Sequence, residues 1–103
     1  MKIGIVLSGG GIRGIAHLGV LKALKNTGIK FDHIVGTSAG SIAGSFYAAG
    51  IDPEDAFKIF METKLIKFVR PAFGSLGLIN IEKTGDIFRK FLPAHIEDLK
   101  TPM

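Results

Sequence analysis

The stretch IVGTSAGSIAG, residues 34–44, runs two β-branched apolar residues into a serine framed by glycines and then into a train of small residues. Its first residues suit a short buried strand, and the remainder suits a turn and a helix. Gly36-Thr37-Ser38-Ala39-Gly40 fits G-x-S-x-G, the pattern of a strand-to-helix turn tight enough to project the serine hydroxyl outward. Side chains at Gly36 and Gly40 would collide in such a turn. Two readings stand at this point: a packed turn with no chemistry, or a reactive Ser38 with a helix dipole favouring its alkoxide.

Moving toward the N-terminus, KIGIVL predicts another buried strand at about Ile3 to Leu7. Residues Gly9-Gly10-Gly11-Ile12-Arg13-Gly14 then match G-x-G-x-x-G between that strand and a helix. The apolar rhythm Ile12, Ile15, Ala16, Leu18, Leu21, Leu24 predicts the helix from Ile12 to Lys25, with Gly28 as a left-handed cap. Backbone amides in such a loop make a site for negative charge, either a resting pyrophosphate or a transient oxyanion. A nucleotide site also demands an acidic residue at the end of the second strand. Asp32 precedes that strand, and the required place is taken by Gly36–Gly40. The loop is therefore better matched to an oxyanion. In a parallel α/β sheet both glycine turns lie at the carboxyl ends of adjacent strands, one supplying the attacking oxygen and the other the amides. A single oxyanion donor is worth about 3 kcal/mol.

Toward the C-terminus, a small-residue helix is expected to about Ala49, capped by Gly50. Asp52 as N-cap, Pro53 in the first turn and the acidic pair Glu54 and Asp55 announce a helix running to about Phe68. RPAFGSLGL reads as a loop, and NIEKTGDIFRKFL as a last helix ended before Pro93. Strand, helix, strand, helix predicts a right-handed parallel α/β unit. Two strands are too few for a stable sheet, so residues 1–103 are expected to be the front part of a larger domain, or to borrow strands from a partner.

The 103 residues fit one domain at most, and 47% hydrophobic with 21% charged residues is a globular composition. With no cysteine, disulfides, thiolate metal sites and cysteine nucleophiles are excluded. His17, His33 and His95 lack metal-ligand spacing, so no metal is expected. A net charge of +4 permits weak attraction to anionic surfaces without demonstrating it. The N-terminus has too short an apolar stretch for a signal peptide. The uncharged run 34–51 holds four Gly and four Ser or Thr, too polar for a membrane span. A cytoplasmic or peripherally attached protein is expected.

LSGGGIRGIAHLGVLKAL followed by DHIVGTSAGSIAG resembles the start of the patatin-like phospholipases. The resemblance covers residues 3–50 closely and the remainder more loosely. It implies a three-layer α/β/α sandwich with a mainly parallel sheet, of which this chain is the N-terminal portion. It also implies a lipid acyl hydrolase working through a Ser–Asp dyad, with no cofactor, no metal and no nucleic acid. Ser38 would form the acyl-enzyme on a phospholipid or lysophospholipid ester. Gly9, Gly10 and Gly11 would give the oxyanion amides, with Ile12, Arg13 and Gly14 at the helix entrance. Gly36, Thr37, Ala39 and Gly40 would shape the elbow. The family's aspartate sits in an Asp-Gly turn, and this chain contains no Asp-Gly. The dyad aspartate is therefore expected beyond Met103, and about 10²- to 10⁴-fold of rate would be missing without it.

His17 reads as a packing or hydrogen-bonding residue rather than a base for Ser38, and His33 and His95 as surface or loop residues. Asp32 reads as a loop charge. Lys64, Lys67 and Arg70 read as a solvated helix face, with a membrane-surface helix end as the alternative. Gly40 and Gly44 form G-x-x-x-G, suited to close helix–sheet packing. The rival to an enzyme is a non-catalytic α/β module holding an anion or nucleotide in its glycine loop.

Overall fold

The structure, a computed structural model, describes residues 2–10, 14–62 and 81–103. Its elements include β1 (Gly4–Leu7), α1 (Ala16–Asn26), β2 (His33–Gly36), α2 (Ala39–Ala48), α3 (Pro53–Glu62), α4 (Ile81–Phe91) and a 3-10 turn at Ile96–Asp98. The expected extension of α3 to Phe68, the loop RPAFGSLGL and the cationic residues Lys64, Lys67 and Arg70 lie outside the described residues.

The two strands run parallel with Gly4 opposite His33 and Leu7 opposite Gly36. The α1 crossover between them makes the β-α-β unit that the apolar pattern demands. The strands alternate as a pleated pair must. Leu7 and Ile34 turn into the core, while Val6 and Val35, paired across the ladder, turn outward and are 74% and 50% exposed. The pair is thus covered on one face by helices and uncovered at the two valines. Asp32 proves to be more than a loop charge: its carboxylate accepts from the Ile3 N–H at 2.8 Å, and its own N–H donates to the Ile3 carbonyl at 2.8 Å. That exchange fixes the register one step before the ladder begins, which is why β1 starts at Gly4.

Helix α2 sits between two apolar clusters. Ala43 and Phe46 join Leu18, Ala56 and Phe60, while Ala48 joins Leu7, Leu21, Phe31 and Ile34. The Phe46 ring is fully buried, with ring centroids of Phe60, Phe88 and Phe91 at 5.6, 6.3 and 6.3 Å. Burying such a ring stabilises by about 1.5–3 kcal/mol, and here it ties α2 to both α3 and α4. Gly44 lets the same helix lie close on the sheet: a Cβ there would stand 3.1 Å from an Ile34 methyl and 3.2 Å from a Leu7 methyl. The chain's last residues close on the outer side of β2, where Ile34 N–H donates to the Pro102 carbonyl at 2.9 Å and Thr101 N–H donates to the Ala48 carbonyl at 3.0 Å.

The caps follow the local chemistry. Gly28 and Gly50 end α1 and α2 at φ +85° and +88°, a region that glycine enters without steric cost. Asp52 caps α3 by accepting from the Glu54 N–H at 3.0 Å, and it also accepts from the Lys25 ammonium at 2.5 Å, joining α1 to the start of α3. Lys22 pairs with Glu54 beside it. Among the described residues no helix is long and apolar enough to cross a membrane.

Candidate functional site

The strand-to-helix turn after β2 places Ser38 in a conformation that only constraint can hold. Ser38 has φ +53° and ψ −124°, and among the described residues it alone combines a side chain with a positive φ. Such a conformation costs about 1–3 kcal/mol and persists where the surroundings over-determine it. Those surroundings are backbone. A Cβ on Gly40 would lie 2.1 Å from the Leu7 carbonyl oxygen and 2.5 Å from that of Ser8, so the first turn of α2 is pressed against the end of β1. A Cβ on Gly36 would lie 2.6 Å from Ser41 Cα. Thr37 N–H donates to the Leu7 carbonyl at 3.0 Å, carrying the ladder one residue past β2 and into the turn.

Ser38 occupies the N-cap position of α2, where a serine side chain ordinarily accepts from a backbone N–H of the first turn. Here it makes no such bond. Its carbonyl accepts from Ser41 N–H at 2.9 Å, from Ile42 N–H at 3.2 Å and from the Ser41 hydroxyl at 2.6 Å. The backbone of Ser38 is therefore held from behind, and its side chain is exposed in front of the positive end of α2.

The two glycine motifs meet here. A Cβ on Gly9 would stand 3.3 Å from Ser38 Cβ and 3.9 Å from Ser38 Oγ, and one on Gly14 would stand 2.4 Å from Ala39 Cβ. The entrance of α1, tightened into a 3-10 turn at residues 14 and 15, lies directly on the residue after the serine. Gly10 has φ +154°, which a side chain would disfavour. Gly11, Ile12 and Arg13 lie outside the described residues. Of the residues singled out from sequence, then, Gly9 faces Ser38 itself, Gly14 presses on Ala39, and Gly36, Thr37, Ala39 and Gly40 form the turn that carries the serine.

Among the described residues, the histidine and aspartates that form side-chain hydrogen bonds direct them elsewhere. His17 turns its Nε2 to the Ser8 carbonyl oxygen at 2.6 Å, so its ring engages the loop and not the serine. The hydrogen bonds of Asp32 go to Ile3, those of Asp52 to Lys25 and Glu54, and that of Asp86 to Arg89. The bond from the Lys25 ammonium, helped by the Glu54 amide, holds the Asp52 carboxyl below its ordinary range, and the same bond raises Lys25. His33 and His95 are exposed. Among the described residues no three His, Asp or Glu side chains come together as metal ligands. An apolar groove of about 540 Å³ runs behind the elbow past Val35, Ser41, Ile42, Phe88 and Leu92, and Ser38 does not line it.

Three observations were hidden from residue patterns: the Asp32 clamp, the His17 contact and the hub at Phe46. The last had a partial signal, since both aromatics of α2, Phe46 and Tyr47, fall within a helical turn of Ala43, but the sequence does not say which one is central.

The family described as patatin-like phospholipase matches residues 5–102. The chain is 54% identical over 56 residues to lysophospholipase NTE1 of Coccidioides immitis, covering 54% of this chain and 4% of that protein. It is 33% identical over 104 residues to an uncharacterized NTE family protein of Mycobacterium bovis, covering 98% of this chain and 29% of that protein. A lysophospholipase NTE1 of Mycosarcoma maydis is 58% identical over 48 residues, covering 47% of this chain and 2% of that protein. The chain thus spans less than a third of the length of these relatives.

Proposed function

The chain belongs to the patatin-like phospholipase family, and on that premise we propose that it carries the nucleophile and the anion-stabilising loop of a serine acyl hydrolase acting on lipid esters. The observation that carries this reading is Ser38 itself: a strained, uncapped serine at a helix N-terminus, faced by a glycine loop. Backbone strain of this kind clusters at functional sites.

In the proposed reaction Ser38 Oγ attacks the carbonyl carbon of the ester while a base takes its proton. The carbonyl oxygen becomes the oxyanion of a tetrahedral intermediate, and amides of the Gly9–Gly14 loop stabilise it together with the α2 dipole. Collapse expels the alcohol, which regains the proton, and leaves an acyl-serine. Water, activated by the same base, then attacks the acyl carbonyl and releases the fatty acid. The family resemblance implies an aspartate in an Asp-Gly turn as the base, and since residues 1–103 hold no Asp-Gly we place it outside them. In keeping with this, Asp32, Asp52 and Asp86 make their hydrogen bonds elsewhere and His17 is turned to Ser8. The substrate class is a phospholipid or lysophospholipid, the latter supported by the lysophospholipase names of the fungal relatives. Access to such a substrate implies peripheral contact with a lipid surface.

The test is hydrolysis of a lysophospholipid and of a short p-nitrophenyl ester by the intact protein that carries this chain. Ser38→Ala is expected to abolish both. Retained turnover in that variant would overturn the reading, and binding of an anionic lipid without any turnover would favour the anion-binding module.

A further inference from the structure

Among the described residues, one side chain holds the start of the loop that faces Ser38. His17, on the first turn of α1, lies half-buried with Nε2 at 2.6 Å from the Ser8 carbonyl oxygen, nine residues back in the chain. An oxygen of that kind only accepts, so the contact requires the proton on Nε2. Ser8, Gly9 and Gly10 are exposed, and Gly10 sits at φ +154°. A glycine run in this state has many conformations open to it and no side-chain packing to choose among them. The peptide unit between Ser8 and Gly9 is planar, and its C=O and N–H point in opposite directions. Fixing the Ser8 carbonyl therefore fixes the direction of the Gly9 amide and the plane in which Gly9 Cα faces Ser38, where a Cβ would come within 3.3 Å of the serine Cβ.

We propose that His17 is a positioning residue for the acyl-transfer site, setting the Ser8–Gly9 peptide so that the loop amides are aimed before substrate arrives. The inference rests on the reading of Ser38 as the nucleophile. Its logic is that an oxyanion hole works by pre-organisation: the donors must already point where charge develops. His17 also belongs to α1, whose entrance at Gly14 presses on Ala39, so one helix positions both the loop and the elbow. The ring is thereby assigned a role in the reaction without touching the reacting atoms.

The experiment compares His17→Gln, His17→Asn and His17→Leu with Ser38→Ala in the intact protein. Glutamine carries an N–H donor near the place of Nε2, asparagine falls short of it, and leucine has none. With p-nitrophenyl butyrate, leucine and asparagine are expected to lower kcat about 10- to 100-fold, the scale of a misdirected donor, with KM within about 3-fold. Glutamine is expected to restore kcat to within about 5-fold of the parent, a recovery that a packing role would not produce. Should the leucine variant fail to fold, the glutamine–asparagine pair carries the same comparison. The proposal is overturned if Ser38→Ala is inactive while the asparagine and leucine variants keep parental kcat, or if glutamine and asparagine are equally impaired. Activity retained in Ser38→Ala would instead remove the reading beneath it.

Discussion

Ser38 stores strain, and removing its side chain altogether is expected to stabilise the protein while destroying its chemistry. The comparison that isolates this is Ser38→Gly against Ser38→Ala. Both lose the hydroxyl, so both are expected to be inactive. They differ in the Cβ, which alanine keeps at φ +53° and ψ −124°. Holding a side chain in that region costs about 1–3 kcal/mol. Glycine escapes that cost but loses about 0.5–1 kcal/mol through its more flexible unfolded chain. Taking the middle of each range, the glycine variant is therefore expected to exceed the alanine variant by about 1 kcal/mol. Urea unfolding of the intact protein measures the difference, read from midpoints at equal m-values. With m of about 2 kcal/mol/M the glycine midpoint should lie about 0.5 M higher. A glycine variant equal to or less stable than the alanine variant would refute the claim that the elbow is strained.

Gly40→Ala is expected to cost about 3 kcal/mol, the upper end for overpacking, because its Cβ would meet the Leu7 carbonyl oxygen at 2.1 Å and backbone cannot swing aside as a side chain does. Thermal unfolding checks it, and a parental melting temperature would contradict it. Asp52→Asn keeps the acceptor for the Glu54 amide but removes the charge facing Lys25. Because the Lys25 bond lowers the Asp52 pKa, the parent gains stability above the ordinary carboxylate value of about 3.9 and loses it as pH falls through the lower folded value. Because Lys25 is raised, its contribution holds below about 10.4 and is lost as pH rises through the folded value. The variant should therefore show shallower acid and alkaline limbs in melting temperature between pH 3 and 11, a small effect for so exposed a pair. Superimposable limbs would sink this account of the pair.

The two strands and the elbow were legible in the sequence because their causes are local. HIVG bounded by a glycine is β2 to the residue, and Gly36, Gly40 and Gly44 announce close approach wherever a helix is set on a sheet. The convergence of Gly9 on Ser38 was legible at one remove, since adjacent parallel strands put their C-terminal turns side by side. What stayed hidden depends on partners far apart in sequence. Asp32 looks like a loop charge until its carboxylate meets Ile3. His17 shows an apolar-helix context that says nothing of the carbonyl at Ser8. Helix α1 begins at Ala16 and not at Ile12, with a tight turn at residues 14 and 15 where Gly14 is pressed on Ala39. Apolar periodicity has no means of anticipating that contact.

The central claim is that Ser38 is the nucleophile, and covalent trapping tests it most directly. The intact protein is treated with a fluorophosphonate that transfers its phosphonyl group to an activated serine with loss of fluoride, then digested and mapped by mass spectrometry. A single adduct on the peptide containing Ser38, absent from Ser38→Ala and forming in step with loss of esterase activity, is the predicted result. Loss of activity with the adduct on another residue, or hydrolysis that continues with Ser38 fully modified, would contradict it.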